Sequence, residues 1–149
     1  YLFMRKINYI VVHCSATREG CTLTSEALEA EHRRRGFRTT GYHYYIRRDG
    51  TVLGTRSLEL PGAHCRGHNK YSIGICYEGG LDARGNPKDT RTPEQRSALH
   101  LLVYQLLQQF RNARVCGHRD LSPDLDGDGT VEPWEWVKQC PCFEVSKEF

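Results

Sequence analysis

Three segments carry side chains able to hold a transition metal: Val12-His13-Cys14-Ser15-Ala16-Thr17, Gly117-His118-Arg119-Asp120 and Lys138-Gln139-Cys140-Pro141. Two neutral imidazoles, His13 and His118, and one thiolate, Cys140, offer three ligands to Zn2+ and leave a fourth position for water. Zinc lowers the pKa of such a water to roughly 7, which makes a hydroxide-like nucleophile available at neutral pH. The spacing itself is uninformative, because ligands this far apart form no compact motif. A histidine near a strand end is also more often a hydrogen-bonded core or surface residue than a ligand. On the residues alone, a zinc centre and a purely structural reading both stand.

A second constellation lies between His118 and Cys140, running from Asp124 through Leu125, Asp126, Gly127, Asp128, Gly129, Thr130, Val131, Glu132, Pro133 and Trp134 to Glu135. It follows the calcium loop of an EF-hand position by position. Asp124, Asp126 and Asp128 take the first, third and fifth ligand positions, the backbone carbonyl of Thr130 the seventh, and Glu132 the water-mediated ninth. Glu135 supplies the bidentate carboxylate at the end, Gly129 the sharp turn and Val131 the apolar residue. The competing reading is an Asp/Gly-rich turn without an ion. The helix that normally precedes such a loop is missing, since Leu121-Ser122-Pro123 cannot continue one.

The elements that must position these residues are readable from periodicity. Ile7 to Val12 is apolar on both faces, as expected of a strand inside a sheet, and Ser72 to Tyr77 reads the same way. Thr24 to Arg35 predicts a helix capped by Thr24 or Ser25 and stopped by Gly36. Tyr42 to Arg47 predicts a strand, joined by a two-residue Asp49-Gly50 turn to Thr51-Val52-Leu53. Pro93 to Phe110 predicts the clearest helix. Thr92 and Gln95 form its capping box, and Leu99, Leu102, Val103, Leu106, Leu107 and Phe110 form an apolar stripe that belongs to the core. A short strand at Arg114-Val115-Cys116 runs into Gly117-His118. His13 and His118 therefore fall just past strand ends, where open α/β sheets place their sites. The expected fold class is α/β: a single domain with a central mixed β-sheet flanked by helices.

Composition bounds the partners. A chain of 149 residues, 38% hydrophobic and 26% charged, has the size and balance of one folded domain. No apolar run approaches the length needed to span a bilayer, so no membrane role is expected. The net charge of +3 is too mild for a nucleic-acid binder. Basic residues gather at His32-Arg33-Arg34-Arg35 with Arg38 and at Arg47-Arg48, where a solvated face suffices and weak attraction to an anionic wall polymer also fits. Seven cysteines, an odd count, argue against a disulfide scaffold and for a reducing compartment. Cys14, Cys76 and Cys116 sit in apolar stretches and are expected to be buried. Tyr1-Leu2-Phe3 precedes the only methionine, Met4, and is read as a remnant outside a domain spanning residues 4–149. No standard secretory signal is visible.

From about Ile7 to Val145 the chain resembles the type 2 N-acetylmuramoyl-L-alanine amidases, which include the small phage amidases called lysozymes and the peptidoglycan recognition proteins. The motifs are Val-His-Cys-Ser-Ala-Thr at 12–17, Gly-Tyr-His-Tyr at 41–44, Arg-Asp-Gly-Thr-Val at 48–52, Ser-Ile-Gly-Ile-Cys at 72–76 and Lys-Gln-Cys-Pro at 138–141. The resemblance implies zinc ligands at His13, His118 and Cys140, a catalytic tyrosine at Tyr42 and a catalytic lysine at Lys138. It implies hydrolysis of the amide joining N-acetylmuramic acid to L-alanine in peptidoglycan. It places Pro61 to Asn69 along the substrate groove, with His64 and Asn69 as substrate-binding candidates. A peptidoglycan-binding module without turnover is the alternative, and the complete set of five residues, Cys140 above all, counts against it. The chain departs from the phage pattern at 121–137, an insertion between the last two zinc ligands. Calcium there would clamp the insertion so that Lys138 and Cys140 reach His118 in register. A monomer acting on the bacterial cell wall is expected.

Overall fold

The computed structural model describes residues 5–36 and 39–149. The expectations for Tyr1 to Phe3, Met4 and Arg38 lie outside the described residues. The strands are β1 (Tyr9–Cys14), β2 (Thr17–Arg18), β3 (Tyr44–Ile46), β4 (Val52–Gly54), β5 (Ser72–Tyr77), β6 (Gly80–Leu81) and β7 (Arg114–Gly117). The helices are α1 (Ser25–Arg34) and α2 (Pro93–Gln109). Five strands form a mixed sheet in the order β4-β3-β5-β1-β7, and β2 pairs in parallel with β6 beside it.

The apolar character of β1 on both faces places it inside the sheet. Ile10, Val11 and Val12 are fully buried, and the strand runs parallel to β5 on one side and β7 on the other. Side chains alternate along a strand, so the two faces separate cleanly. Ile10, Val12 and Cys14 of β1 and Ile73, Ile75 and Tyr77 of β5 pack with Leu99, Leu102, Val103 and Leu106 of α2. Each such aliphatic side chain contributes roughly 1.5–3 kcal/mol on burial. The opposite face carries His13, Ser72, Gly74 and Cys76, and Leu28 of α1 covers part of it with Tyr45 and Cys76.

Local signals explain the helix ends. Thr24 caps α1 by accepting the Ala27 N–H at 3.1 Å. Thr92 and Gln95 close the capping box of α2 at 3.1 and 3.0 Å. Gln95 is fully buried, and its amide also donates to the carbonyls of Ile46 and Glu78, tying the helix start to the sheet. Glu78, 1% exposed, accepts from Arg47, Arg48 N–H and Leu23 N–H. Burial pushes its carboxyl up, but Arg47 and the two amides outweigh this and hold it below the usual range.

Several boundaries differ from the sequence reading. β1 extends through His13 and Cys14, because β5 continues to Tyr77 and offers them partners. The strand expected at Tyr42 begins at Tyr44, since the Tyr42 carbonyl is taken by the hydroxyls of Thr40 and Thr55. The hairpin turn spans Arg47 to Gly50, with Gly50 at φ 87° and the Arg47 N–H bonded to the Thr51 carbonyl. That geometry is a longer loop than the two residues expected. The β2–β6 pair is too short to leave a periodic signal.

The C-terminal segment is docked by Arg91. Its side chain has no exposure, bonds Asp89 and Glu148 at 2.7–2.9 Å, and stacks 3.4 Å from the centre of the Phe143 ring. Arg91 holds the Glu148 carboxyl below its ordinary 4.5, so that contribution is complete above about pH 4.5 and fades as pH falls through the depressed value. Arg91→Met should cost about 2–3 kcal/mol at neutral pH, less than the roughly 3–5 of a fully buried pair because both carboxylates reach water. Thermal denaturation of both proteins from pH 7 to pH 3 should show the gap narrowing at the acid end.

Candidate metal centre and active site

Register brings the first two candidate ligands together. Val12 of β1 lies opposite Gly117 of β7, so the residues that follow, His13 and His118, emerge side by side. Their ring centroids are 4.6 Å apart and the planes are tilted by 56°. His13 occupies the face away from α2 and is 1% exposed. The third candidate, Cys140, comes from the C-terminal segment. The Arg119 N–H donates to the Cys140 carbonyl at 2.9 Å, and the Cys14 N–H donates to Cys140 Sγ at 3.1 Å.

One ligand atom from each of His13, His118 and Cys140 falls within 4.8 Å of the others. Zinc takes bonds of roughly 2.0–2.3 Å to ligands of these types. The electrostatics suit a metal. Burial, then His64, His118 and Lys138, push His13 well below 6.5, so its imidazole is neutral and has a lone pair to offer. The Cys14 N–H fixes the position of the Cys140 sulfur beside His13. Two imidazoles and one soft sulfur form a donor set that fits zinc.

The N-acetylmuramoyl-L-alanine amidase family model matches residues 3–141. The chain belongs to that family. It is 35% identical to the endolysin of Klebsiella phage KP32 over 143 residues, covering 96% of this chain and 85% of that one. Its fold superposes on the N-acetylmuramoyl-L-alanine amidase LysC from Clostridium intestinale with a TM-score of 0.74 at 26% identity, covering 99% of this chain and 84% of that one. PGRP-SA of Apis mellifera shares the fold at a TM-score of 0.72 and 21% identity, covering 98% and 82%.

The remaining family positions gather around this amidase-type centre. The Tyr42 ring centroid is 5.1 Å from that of His13. Burial, then the neighbouring thiols Cys76, Cys140 and Cys14, hold its phenol well above 10, so it keeps its proton at neutral pH. Lys138 is exposed and lines two adjoining clefts. The smaller, about 230 Å³, also holds His13, Tyr42, His64, His118 and Cys140. The larger, about 650 Å³, runs from His118 and Lys138 between the 65–68 loop and the flanks of the insertion at Leu121 to Pro123 and Val137. Asn69 does not line either cleft. Its side-chain oxygen accepts the backbone N–H groups of His64 and Cys65, each at 2.9 Å.

Several contributors escaped the sequence reading. Arg35, at the end of α1, lines the smaller cleft; Arg66 and His68, within the expected 61–69 groove stretch, line the larger. His32 accepts the Gly41 N–H at 2.7 Å and packs its ring 5.5 Å from that of Tyr42. Its spacing of four from Leu28 on one helix face was the available signal. All seven thiols are free; Cys14 and Cys76 are buried as expected, Cys116 is half-buried, and Cys65 is also buried.

In the insertion, Asp124 accepts the N–H groups of Gly127 and Gly129 at 3.0 and 2.8 Å, and Asp126 and Asp128 accept those of Asp128 and Thr130. Glu135, 2% exposed, turns its carboxylate inward to the Leu125, Asp126 and Glu132 amides. Two groups of convergent oxygens result, Asp124 with Asp126 and Glu135, and Asp126 with Asp128 and Glu132. Crowding by Asp128 and Glu135 raises Glu132 above the usual carboxylate range.

Arg119 joins this insertion to the centre. It is 8% exposed, lies 3.9 Å from the centre of the Trp136 ring, and reaches Glu144 at 3.4 Å. Loss of the ring contact alone costs roughly 0.5–2 kcal/mol. Arg119→Ala should therefore loosen the insertion first, seen as several-fold faster proteolysis within residues 122–137 before any global unfolding.

Proposed function

We propose that this chain hydrolyses the amide between N-acetylmuramic acid and L-alanine in peptidoglycan, with zinc held by His13, His118 and Cys140. The observation that carries the reading is the convergence of these three side chains with Tyr42 and Lys138 on one cleft of an amidase-family fold. Zinc bound by this set supplies Lewis acidity, which activates water and polarises the scissile carbonyl. The chain's own groups do the rest. Protonated Tyr42 donates a hydrogen bond that orients the attacking water or the carbonyl oxygen. The Lys138 ammonium neutralises the charge that develops on that oxygen. Water adds its oxygen to the lactyl carbonyl and gives up a proton that passes to the amide nitrogen; the C–N bond breaks, leaving a lactyl carboxylate and a stem peptide with L-alanine as its free amino terminus.

Purified sacculi should release new L-alanine amino termini, and a chelator should stop the release. Lys138→Ala should lose about 10²–10³-fold in kcat with zinc content unchanged, the size expected for one oxyanion partner. Sacculi that yield no new termini would end the amidase reading; an unchanged kcat would remove only Lys138.

The same reading makes peptidoglycan the partner, of a monomer that works at the bacterial cell wall. No helix among the described residues is long and apolar enough to cross a membrane. His64 and the 65–68 loop would border the bound substrate. We further propose that Asp124, Asp126, Asp128, the Thr130 carbonyl and Glu135 bind calcium and so fix the approach of Lys138 and Cys140. The twelve-residue pattern and its inward-facing oxygens support this. Calorimetry should show calcium binding with Kd between about 10⁻⁷ and 10⁻³ M. An Asp126→Ala, Glu135→Ala variant that gives the same heat would refute it.

A further inference from the structure

Resting on the zinc reading, we infer that His64 is a positioning residue that fixes the tautomer of His13, so that Nδ1 of His13 faces the metal. Cys140 Sγ sits 3.1 Å from the Cys14 backbone nitrogen, against the His13–Cys14 peptide. The ring nitrogen nearest that backbone is Nδ1. The other nitrogen, Nε2, lies 2.8 Å from His64 Nδ1. A hydrogen bond of that length needs one proton between two nitrogens. With the His13 Nδ1 lone pair given to the metal, Nε2 carries the proton and donates it to His64 Nδ1. His64 then carries its own proton on Nε2, 3.1 Å from Ser72 Oγ, and donates there. Metal-bound histidines are generally held in this way by a partner at the second nitrogen.

The fold is built around this one imidazole. A Cβ at Gly62 would lie 2.5 Å from His64 Cδ2, and one at Gly74 2.7 Å from Cδ2 and Cγ, so the ring occupies space that only glycine leaves at both positions. Asn69 holds the His64 backbone, and Ser72 is fully buried beneath the ring. Both His64 nitrogens are thereby engaged within the protein. The ring can border the substrate while its polar atoms serve His13.

Zinc affinity, measured by chelator competition on folded protein, tests the inference without recourse to activity. His64→Leu should bind zinc about 10–100-fold more weakly. His64→Asn places an acceptor oxygen near the position of Nδ1 and should recover most of that loss. Ser72→Ala, which frees the ring to turn, should weaken binding about 3–10-fold. Nitrogen chemical shifts of zinc-loaded wild type should report His13 protonated at Nε2. Folded His64→Leu with affinity within twofold of wild type, or His13 protonated at Nδ1, overturns the proposal. If His64→Leu does not fold, Ser72→Ala decides, and unchanged affinity there overturns it. Wild type that binds no zinc would instead sink the amidase reading itself.

Discussion

The site depends on the parallel pairing of β1 with β5 and β7. With Val12 opposite Gly117 and His13 opposite Cys76, two strands far apart in sequence deliver His13 and His118 to one point. Parallel neighbours require long crossovers, and α2 supplies the one that leads into β7. The apolar side chains that α2 buries also hold the register. A slip of one residue would turn His13 into the packed face beneath α2 and bring Val12 to the cleft. Core packing and metal-site geometry are thus one constraint.

Cys140 has no strand to place it. Its position comes from the chain's return across the sheet edge, where Phe143 and Val145 enter the α2-side core. The Tyr77 hydroxyl bonds the Pro141 carbonyl, and Arg91 captures Glu148. Arg119 stands between His118 and Cys140, touching the Cys140 carbonyl, Glu144 and the Trp136 ring. Stability of the C-terminal segment is therefore tied to the site, because a loosened tail would carry the Cys140 sulfur away from His13 and His118.

Burial sets the chemistry of the cluster. His13, His64 and His43 pack in that order, and burial is the leading cause that keeps each neutral, with His43 pushed to about 4 and His64 to about 3. Neutral rings can form directed chains of donor and acceptor, whereas protonated rings at these separations would repel. His43 shows the same logic one step further from His13: Nδ1 accepts the Gly74 N–H and Nε2 lies 2.8 Å from the Leu60 carbonyl. Each ring fixes the backbone or the ring beside it.

Much of this was legible in the amino-acid order. Apolar runs at Ile73 to Tyr77 and Leu99 to Leu106, with the Thr92–Gln95 capping box, dictate their elements through local periodicity and hydrogen-bond demand. Residue type alone made His13, His118 and Cys140 candidate ligands, with a structural reading still open, and the Asp124–Glu135 spacing matched a cation loop that an ion-free turn also explained. Tertiary structure decided what no local signal encodes. Strand register set which histidines meet, Arg119 and Trp136 set where the insertion docks, and two glycines and Ser72 set the orientation of His64. Such facts arise from contacts across tens of residues, where sequence spacing carries no record of which side chains the fold will bring together.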